Sequence, residues 1–262
     1  MSFQDVFQAY IDNPSKYKQL VEFEDENVLI IKDQFPKAIR HYLVIPRAPE
    51  VTHVHPLEVF NRNYKKYSGD ELYDLISFYI EKAKTMIIED LDKLFDHPKE
   101  NKLALAELKV DFIRAGVHSV PSLRNLHFHV ITQDFESERL KNKKHYNSFT
   151  TPFFVDFDKL DPWSNKAYDK LNRGGFGSEN QYDSDSAYSS ESEDDRVFIR
   201  HERDKTILDK IIKTTPLKCT YCGAVFGNKF QELKQHLKEE YLKKYALFDG
   251  FEPAKLTPNQ FK

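Results

Sequence analysis

Apolar positions along this chain change period several times, and each change marks an element. Phe3, Val6, Phe7, Tyr10 and Ile11 recur at helical spacing before Pro14, which predicts a short helix that Ser2 with Asp5 can cap. Residues 19–31 read as a hairpin in which Gln-Leu-Val-Glu-Phe turns at Asp25-Glu-Asn27 into Val-Leu-Ile-Ile. Ser68-Gly-Asp-Glu71 has the form of a capping box. The helix it opens turns Leu72, Leu75, Ile76, Tyr79, Ile80, Ala83, Ile87, Leu91 and Leu94 inward, until Pro98 stops it. Residues 111–118 and 125–132 supply the last core strands, joined by a loop at Pro121-Ser122. Antiparallel strands with helices on one side give an α+β fold.

Between about residues 172 and 200 the periodic pattern stops. Arg-Gly-Gly-Phe-Gly-Ser leads into an acidic, Ser-rich run with too few apolar residues to offset the entropy of ordering it, so it reads as a disordered linker. Ser186, Ser189, Ser190 and Ser192 lie among acids as acidophilic kinase sites would, although a solvated spacer is the simpler reading. This run also changes the meaning of the net charge of −3. It holds seven acids (Glu179, Asp183, Asp185, Glu191, Glu193, Asp194 and Asp195), and removing them turns −3 into +4 for a mildly basic remainder. The chain of 262 residues, 40% hydrophobic, suffices for one sizeable core and a small accessory module. Two cysteines cannot build a disulfide framework. The opening Met1-Ser-Phe-Gln-Asp5 lacks a basic-then-apolar leader pattern, and no apolar run approaches a membrane span, so the expectation is a protein inside the cell and outside membranes.

The chemistry concentrates in Asn125-Leu-His-Phe-His-Val-Ile131. On a strand, side chains alternate, so Asn125, His127 and His129 share one face while Leu126, Phe128 and Val130 fill the core from the other. A neutral imidazole is a nucleophile near pH 7, and a second beside it can orient a proton or a phosphate oxygen. Upstream, Gly116-Val-His118-Ser-Val-Pro121-Ser122 adds a third histidine and a hydroxyl.

These residues resemble the histidine-triad (HIT) hydrolase and transferase signature, most closely as it stands in the aprataxin family. Gln133-Asp-Phe135 and Leu140-Lys-Asn-Lys-Lys144-His-Tyr-Asn-Ser-Phe149 follow in the same order. Near the N-terminus, Asp33-Gln-Phe-Pro36-Lys37-Ala38 and His41-Tyr-Leu-Val-Ile-Pro46 look like that family's nucleotide-binding strand. One departure is plain: the HIT strand usually reads His-x-His-x-His, and Asn125 takes the first histidine position, where it can still donate and accept hydrogen bonds.

The resemblance implies a HIT-like catalytic domain over 1–165 and a set of roles. His127 would attack the AMP phosphorus and become adenylylated, His129 would hold the phosphate, and His118 would stabilise charge and protonate the leaving group. Ser122, Asn125 and Lys144 would meet phosphate oxygens, Asp33 the ribose hydroxyls, and Phe35, Pro36 and Lys37 the adenosine, with His41 behind them. Phe7 and Tyr10 stand where the family would place a base-stacking wedge, although aromatics at this spacing ordinarily pack.

Cys219-Thr-Tyr-Cys222 followed after thirteen residues by His236-Leu-Lys-Glu-Glu240 has the spacing of a small zinc finger over 205–250. Residues four apart on a helix share a face, so Cys219, Cys222, His236 and Glu240 can complete a tetrahedron, in preference to the adjacent Glu239. Phe226, Phe230 and Leu233 would form its core. With four protein ligands the one Zn2+ would be structural. Lys218, Lys229, Lys234, Lys238, Lys243 and Lys244 around it, and Lys141, Lys143 and Lys144 beside the histidine strand, could neutralise phosphates.

Three classes of function follow. The first is a nuclear, monomeric hydrolase that removes AMP from 5′-adenylated nicks or ends of DNA, with RNA–DNA junctions as a further substrate. The second is a general HIT nucleotide hydrolase or phosphoramidase acting on small adenylated substrates. The third is a silent nucleic-acid-binding module, against which the retained His118, His127 and His129 argue.

Overall fold

The structure is a computed structural model that describes residues 5–94, 102–163, 201–248 and 250–258. The acidic run, with its serines, and Pro98 lie outside the described residues. Six antiparallel strands make the central sheet: β1 (Val21–Glu24), β2 (Val28–Lys32), β3 (His41–Pro46), β4 (Ile113–His118), β5 (Phe128–Thr132) and β6 (Phe154–Asp156), in the order β1-β2-β3-β5-β4-β6. The hairpin turns on Asp25, whose Oδ1 accepts the amide protons of Asn27 and Val28 at 2.9 and 3.0 Å.

Helices cover both faces of the sheet, not one as the sequence suggested. Every residue of β3 and β5 is buried, and a strand sealed on both sides needs cover on both sides. On one face, Val28, Ile30, Tyr42, Val44, Ala115, Val117, Phe128 and Val130 pack against α2 (Gly69–Asp92) and α3 (Lys102–Asp111). The capping box of α2 is present in full: Ser68 Oγ accepts from Glu71 N at 3.2 Å, and Glu71 Oε2 accepts from Ser68 N at 2.8 Å. On the other face, α1 (Val6–Asp12) packs Phe7, Tyr10 and Ile11 against Leu29, Ile31, Leu43 and Ile45. Asp5 precedes α1 without capping it, and its carboxylate sits instead 3.8 Å from both His53 and Arg124.

Next to α1 on that face lies α4 (Lys143–Thr150), capped by Asn142. Beyond it come α5 (Lys205–Thr214) and a ββα unit of β7 (Leu217–Lys218), β8 (Val225–Gly227) and α6 (Phe230–Tyr245). This unit shares a core with the sheet: Leu217, Cys219, Leu233 and Leu237 pack with Ile131, Phe135, Tyr146, Phe149 and Phe154. The turn after β5 makes a second tie. Its Phe135 holds φ at +49°, fully buried, and the turn aims Asp134 so that Oδ1 accepts from Ile39 N at 2.7 Å and Oδ2 from the Tyr245 hydroxyl at 3.3 Å. Asp134 thus joins the loop before β3 to the end of α6.

Strand β6 reaches β4 across Gly116, where an added Cβ would lie 2.2 Å from the Val155 carbonyl oxygen and 2.8 Å from the Phe154 ring. Neither neighbour is a free chain end. Gly116→Ala is therefore expected to cost at least about 1–3 kcal/mol, read as a lower urea midpoint at unchanged slope.

Candidate active site

Strands β3 and β5 bring the histidines together because both offer the same face. Leu43 pairs with His129, so His41 and His129 are diagonal neighbours, and His41 Nε2 lies 2.9 Å from His129 Nδ1. His118, from the end of β4, sets its ring centroid 4.5 Å from that of His129 with the planes tilted, and His127 lies 5.1 Å from it. Phe149 of α4 closes the group, 4.8 Å from His118, 5.2 Å from His129 and 5.5 Å from His41. Phe7 meets His127 edge-on at 5.2 Å.

Hydrogen-bond donors of fixed sense set the tautomers. The Lys37 amide N–H donates to His41 Nδ1 at 3.3 Å, so His41 carries its proton on Nε2 and donates it to His129 Nδ1. His129 then bears its own proton on Nε2, an N–H available to an oxygen. His127 runs the other way: Nδ1–H donates to the Asn125 carbonyl at 2.8 Å, which leaves the Nε2 lone pair as the reactive position. Of the six side-chain polar atoms buried without a hydrogen-bond partner among the described residues, three belong to this cluster: His118 Nε2, His129 Nε2 and Asn125 Oδ1.

Burial also sets the charge. It pushes the His41 imidazole down to about 4 and that of His118 to about 3, the Asp33 carboxylate opposing at His41 and the other histidines assisting. His127 and His129 are lowered for the same first reason. The four rings are therefore neutral at pH 7, the form in which an imidazole can attack an electrophile.

Of the residues expected at a nucleotide site, Asp33, Lys37 and Asn125 touch this cluster. Asp33 Oδ2 is 3.4 Å from His41 Nδ1, and its Oδ1 accepts from Phe35 N at 2.7 Å. Pro36 is buried and its carbonyl accepts from Ser137 Oγ at 2.6 Å, the Lys37 ammonium donates to the Phe35 carbonyl, and Phe35 itself is half exposed under Arg139. Burial lowers the pKa of Lys37. Ser122 is exposed on the loop between β4 and β5. Lys144 is exposed on α4, where its charge acts on Asp209 of α5, and no described contact joins it to the histidines.

The residues expected to grip a polyanion divide. Lys141 and Lys229 are exposed, the latter paired with Glu232 at 3.0 Å. Lys143 Nζ instead donates to Asn228 Oδ1 at 2.6 Å, and Lys234 Nζ to the Ser137 carbonyl at 3.0 Å, so both bind the finger to the sheet domain. Phe7 and Tyr10 are each only 6% exposed and pack as core, Tyr10 against Tyr17 at 4.3 Å.

In the finger, one ligand atom each from Cys219, Cys222 and His236 lies within 4.8 Å of the others. Gly223, at φ +75°, allows the knuckle its turn, and Tyr221 N donates to Cys219 Sγ at 3.3 Å. Phe226 lies against the His236 ring at 5.1 Å. Two sulfurs and an imidazole are a donor set that suits zinc. Glu240 follows one turn later on α6, with its carboxylate 2.9 Å from Lys243 Nζ, while Glu239 accepts from Gln235. Sequence reasoning missed Gln8, Thr52 and Phe154 around the histidines, each from a separate element and without a local motif, and gave Phe149 no role although it ends the Leu140–Phe149 run.

A six-stranded antiparallel sheet with one histidine on β5 and another just before it, closed by a Cys-Cys-His finger, defines a HIT-type domain joined to a zinc finger. Comparison with known proteins agrees. Residues 4–145 match the family described as scavenger mRNA decapping enzyme C-term binding, and residues 150–243 match the C2HE / C2H2 / C2HC zinc-binding finger. An aprataxin-like protein of Saccharomyces cerevisiae is 32% identical over 94% of this chain and 100% of its own length, and one of Schizosaccharomyces pombe is 33% identical over 92% and 82%. A crystal structure of the aprataxin ortholog Hnt3 in complex with DNA superposes with a TM-score of 0.66 at 30% identity, over 94% of this chain and 98% of that one. The chain belongs to the aprataxin-like family.

Buried neutral histidines make stability depend on pH with a definite sign. Between the ordinary 6.5 of a free imidazole and the values of about 4 and about 3 held by His41 and His118, the unfolded chain binds protons that the folded chain does not. Their contribution is complete above pH 6.5 and is lost as the pH falls toward 4, at up to about 1.4 kcal/mol per pH unit for each ring. The urea midpoint measured from pH 7 to pH 4 should fall accordingly, and less steeply in His41→Gln.

Proposed function

We propose that this chain is a DNA 5′-adenylate hydrolase, which removes AMP from abortive ligation intermediates and leaves a 5′-phosphate, in the repair of single-strand breaks. The observation that carries the reading is His127, a buried neutral imidazole whose Nδ1 proton is committed to a backbone carbonyl and whose Nε2 is free. Family membership and the DNA complex of the ortholog Hnt3 support DNA as the substrate.

In the reading proposed, His127 Nε2 attacks the AMP phosphorus, the pyrophosphate linkage breaks, and the DNA 5′-phosphate leaves. Water then hydrolyses the His127–AMP adduct, returning the ring and releasing AMP. His129 Nε2–H donates to a non-bridging phosphate oxygen, in a site where exclusion of water strengthens the bond. His118 has a pKa of about 3 among neutral neighbours; an arriving phosphate anion raises it and lets it act as proton donor to the departing oxygen. Asp33 and Phe35–Lys37 hold the adenosine, with Ser122 and Lys144 at the phosphates; Asn125, expected there from the sequence, is buried with both amide protons given to Thr52 and Gln8 and has none left for a phosphate. Lys141 and Lys229, both exposed, are among the lysines that can meet the DNA backbone, Lys229 by exchanging Glu232 for a phosphate.

The full chain, given a nicked duplex with labelled 5′-AMP, should release AMP at a rate far above that from diadenosine or AMP-lysine controls. His127→Ala should lower release by roughly a million-fold, as loss of a covalent nucleophile does. Turnover of the small substrates alone would make the protein a general nucleotide hydrolase.

The zinc is proposed as one structural ion held by Cys219, Cys222, His236 and Glu240. Cys222→Ala should leave less than one zinc per chain and unfold at lower temperature, with Glu240→Ala intermediate, both read by metal analysis and thermal melting. Full zinc content and an unchanged melt for Glu240→Ala would remove Glu240 from the site.

A further inference from the structure

Asn125 is 1% exposed, and four hydrogen bonds fix it and the peptide that follows it, two on the peptide and two on the side chain. Its carbonyl oxygen accepts from His127 Nδ1 at 2.8 Å, and the other end of the same peptide, Leu126 N–H, donates to the Thr52 carbonyl at 2.6 Å. Its side-chain amide nitrogen uses both protons, one to Thr52 Oγ1 and one to Gln8 Oε1, each at 3.2 Å. Thr52, itself 3% exposed, therefore grips both the peptide and the side chain.

Gln8 belongs to α1 and is fixed in turn, since its Nε2 donates to Asp12 Oδ1 at 2.8 Å. Its neighbour Phe7 rests on the His127 ring. Gln8 also borders an open hollow shared with Asp5, His53 and Arg124. One helical residue thus touches the nucleophile's ring and the next holds the group that orients it. An imidazole at position 125 could not do the same, because no single ring nitrogen donates two protons, whereas an amide nitrogen does.

We propose that Gln8, Asn125 and Thr52 form a positioning clamp that fixes the Asn125–Leu126 peptide, holds the His127 proton on Nδ1 with Nε2 toward the substrate, and ties that orientation to helix α1. The kinetic part rests on the reading of His127 as nucleophile. The clamp itself does not, because the ring's tautomer is observable without turnover.

The test uses full-length protein labelled with 15N at histidine. In the wild type, the His127 ring nitrogens should report a single Nδ1–H tautomer near pH 7. The Gln8→Leu/Thr52→Val double variant keeps side-chain volume and removes the two acceptors; it should show both tautomers and a single-turnover rate on the adenylated nick lower by about ten-fold, with KM within two-fold. Thr52→Ser restores the hydroxyl and should restore the tautomer and most of the rate. A double variant with an unchanged tautomer, or with wild-type rate, overturns the clamp. A fixed tautomer that is lost in the double variant, in a protein that releases no AMP, leaves the clamp standing and overturns the proposed activity. A urea midpoint within about 1 kcal/mol of wild type excludes general unfolding as the cause.

Discussion

The 2.9 Å hydrogen bond between His41 and His129 is the interaction around which this molecule is arranged. It joins the two central strands on the face that carries the chemistry, and it needs His129 uncharged, since an imidazolium has no lone pair with which to accept. Neutrality follows from burial, and burial requires cover on that face. The sheet therefore receives a second layer, with α1 over His127 and α4 over His118 and His129. The Lys37 amide completes the chain of donors from its start, so a loop before β3 decides which nitrogen of a ring on β5 bears a proton.

The finger takes part in the same arrangement. Its Leu217, Leu233 and Leu237 lie against Phe135, Tyr146 and Phe149, and Phe149 is also the wall of the histidine cluster. Two lysines that looked like polyanion ligands in the sequence spend their ammonium groups on this junction, Lys143 on Asn228 and Lys234 on the Ser137 carbonyl. Local charge patterns count cations but do not reveal which ones already have a carbonyl or amide within reach.

What could be read from the sequence was what neighbouring residues encode. The hairpin at Asp25, the capping box at Ser68, the pairing of His127 with His129 and the Cys219–His236 spacing all rest on contacts a few residues apart or on one motif, although the strand expected over 125–132 begins only at Phe128 and leaves Asn125 and His127 in the segment before it. The second helical layer was legible only indirectly, in the unbroken apolar runs of β2 and β3 that imply burial on both sides. Strand β6 is three residues long and produced no pattern, whereas α5 does carry Ile207, Leu208, Ile211 and Ile212 at helical spacing behind an Asp204 cap and went unread beside the non-periodic run. Thr52 and Gln8 meet Asn125 across 73 and 117 residues of chain, and nothing in their own surroundings sets them apart from other surface polars.

The core shared between α4, the β4–β6 edge and the ββα unit has a consequence for gene structure and inheritance. A premature stop between residues 161 and 201 would spare every histidine of the cluster and still strip the apolar cover that Leu217, Leu233 and Leu237 give to Phe135, Tyr146 and Phe149. The product would be a sticky polypeptide recognised by chaperones and proteases, so such an allele would behave as a null through loss of abundance, even though the codons for the reactive centre remained intact.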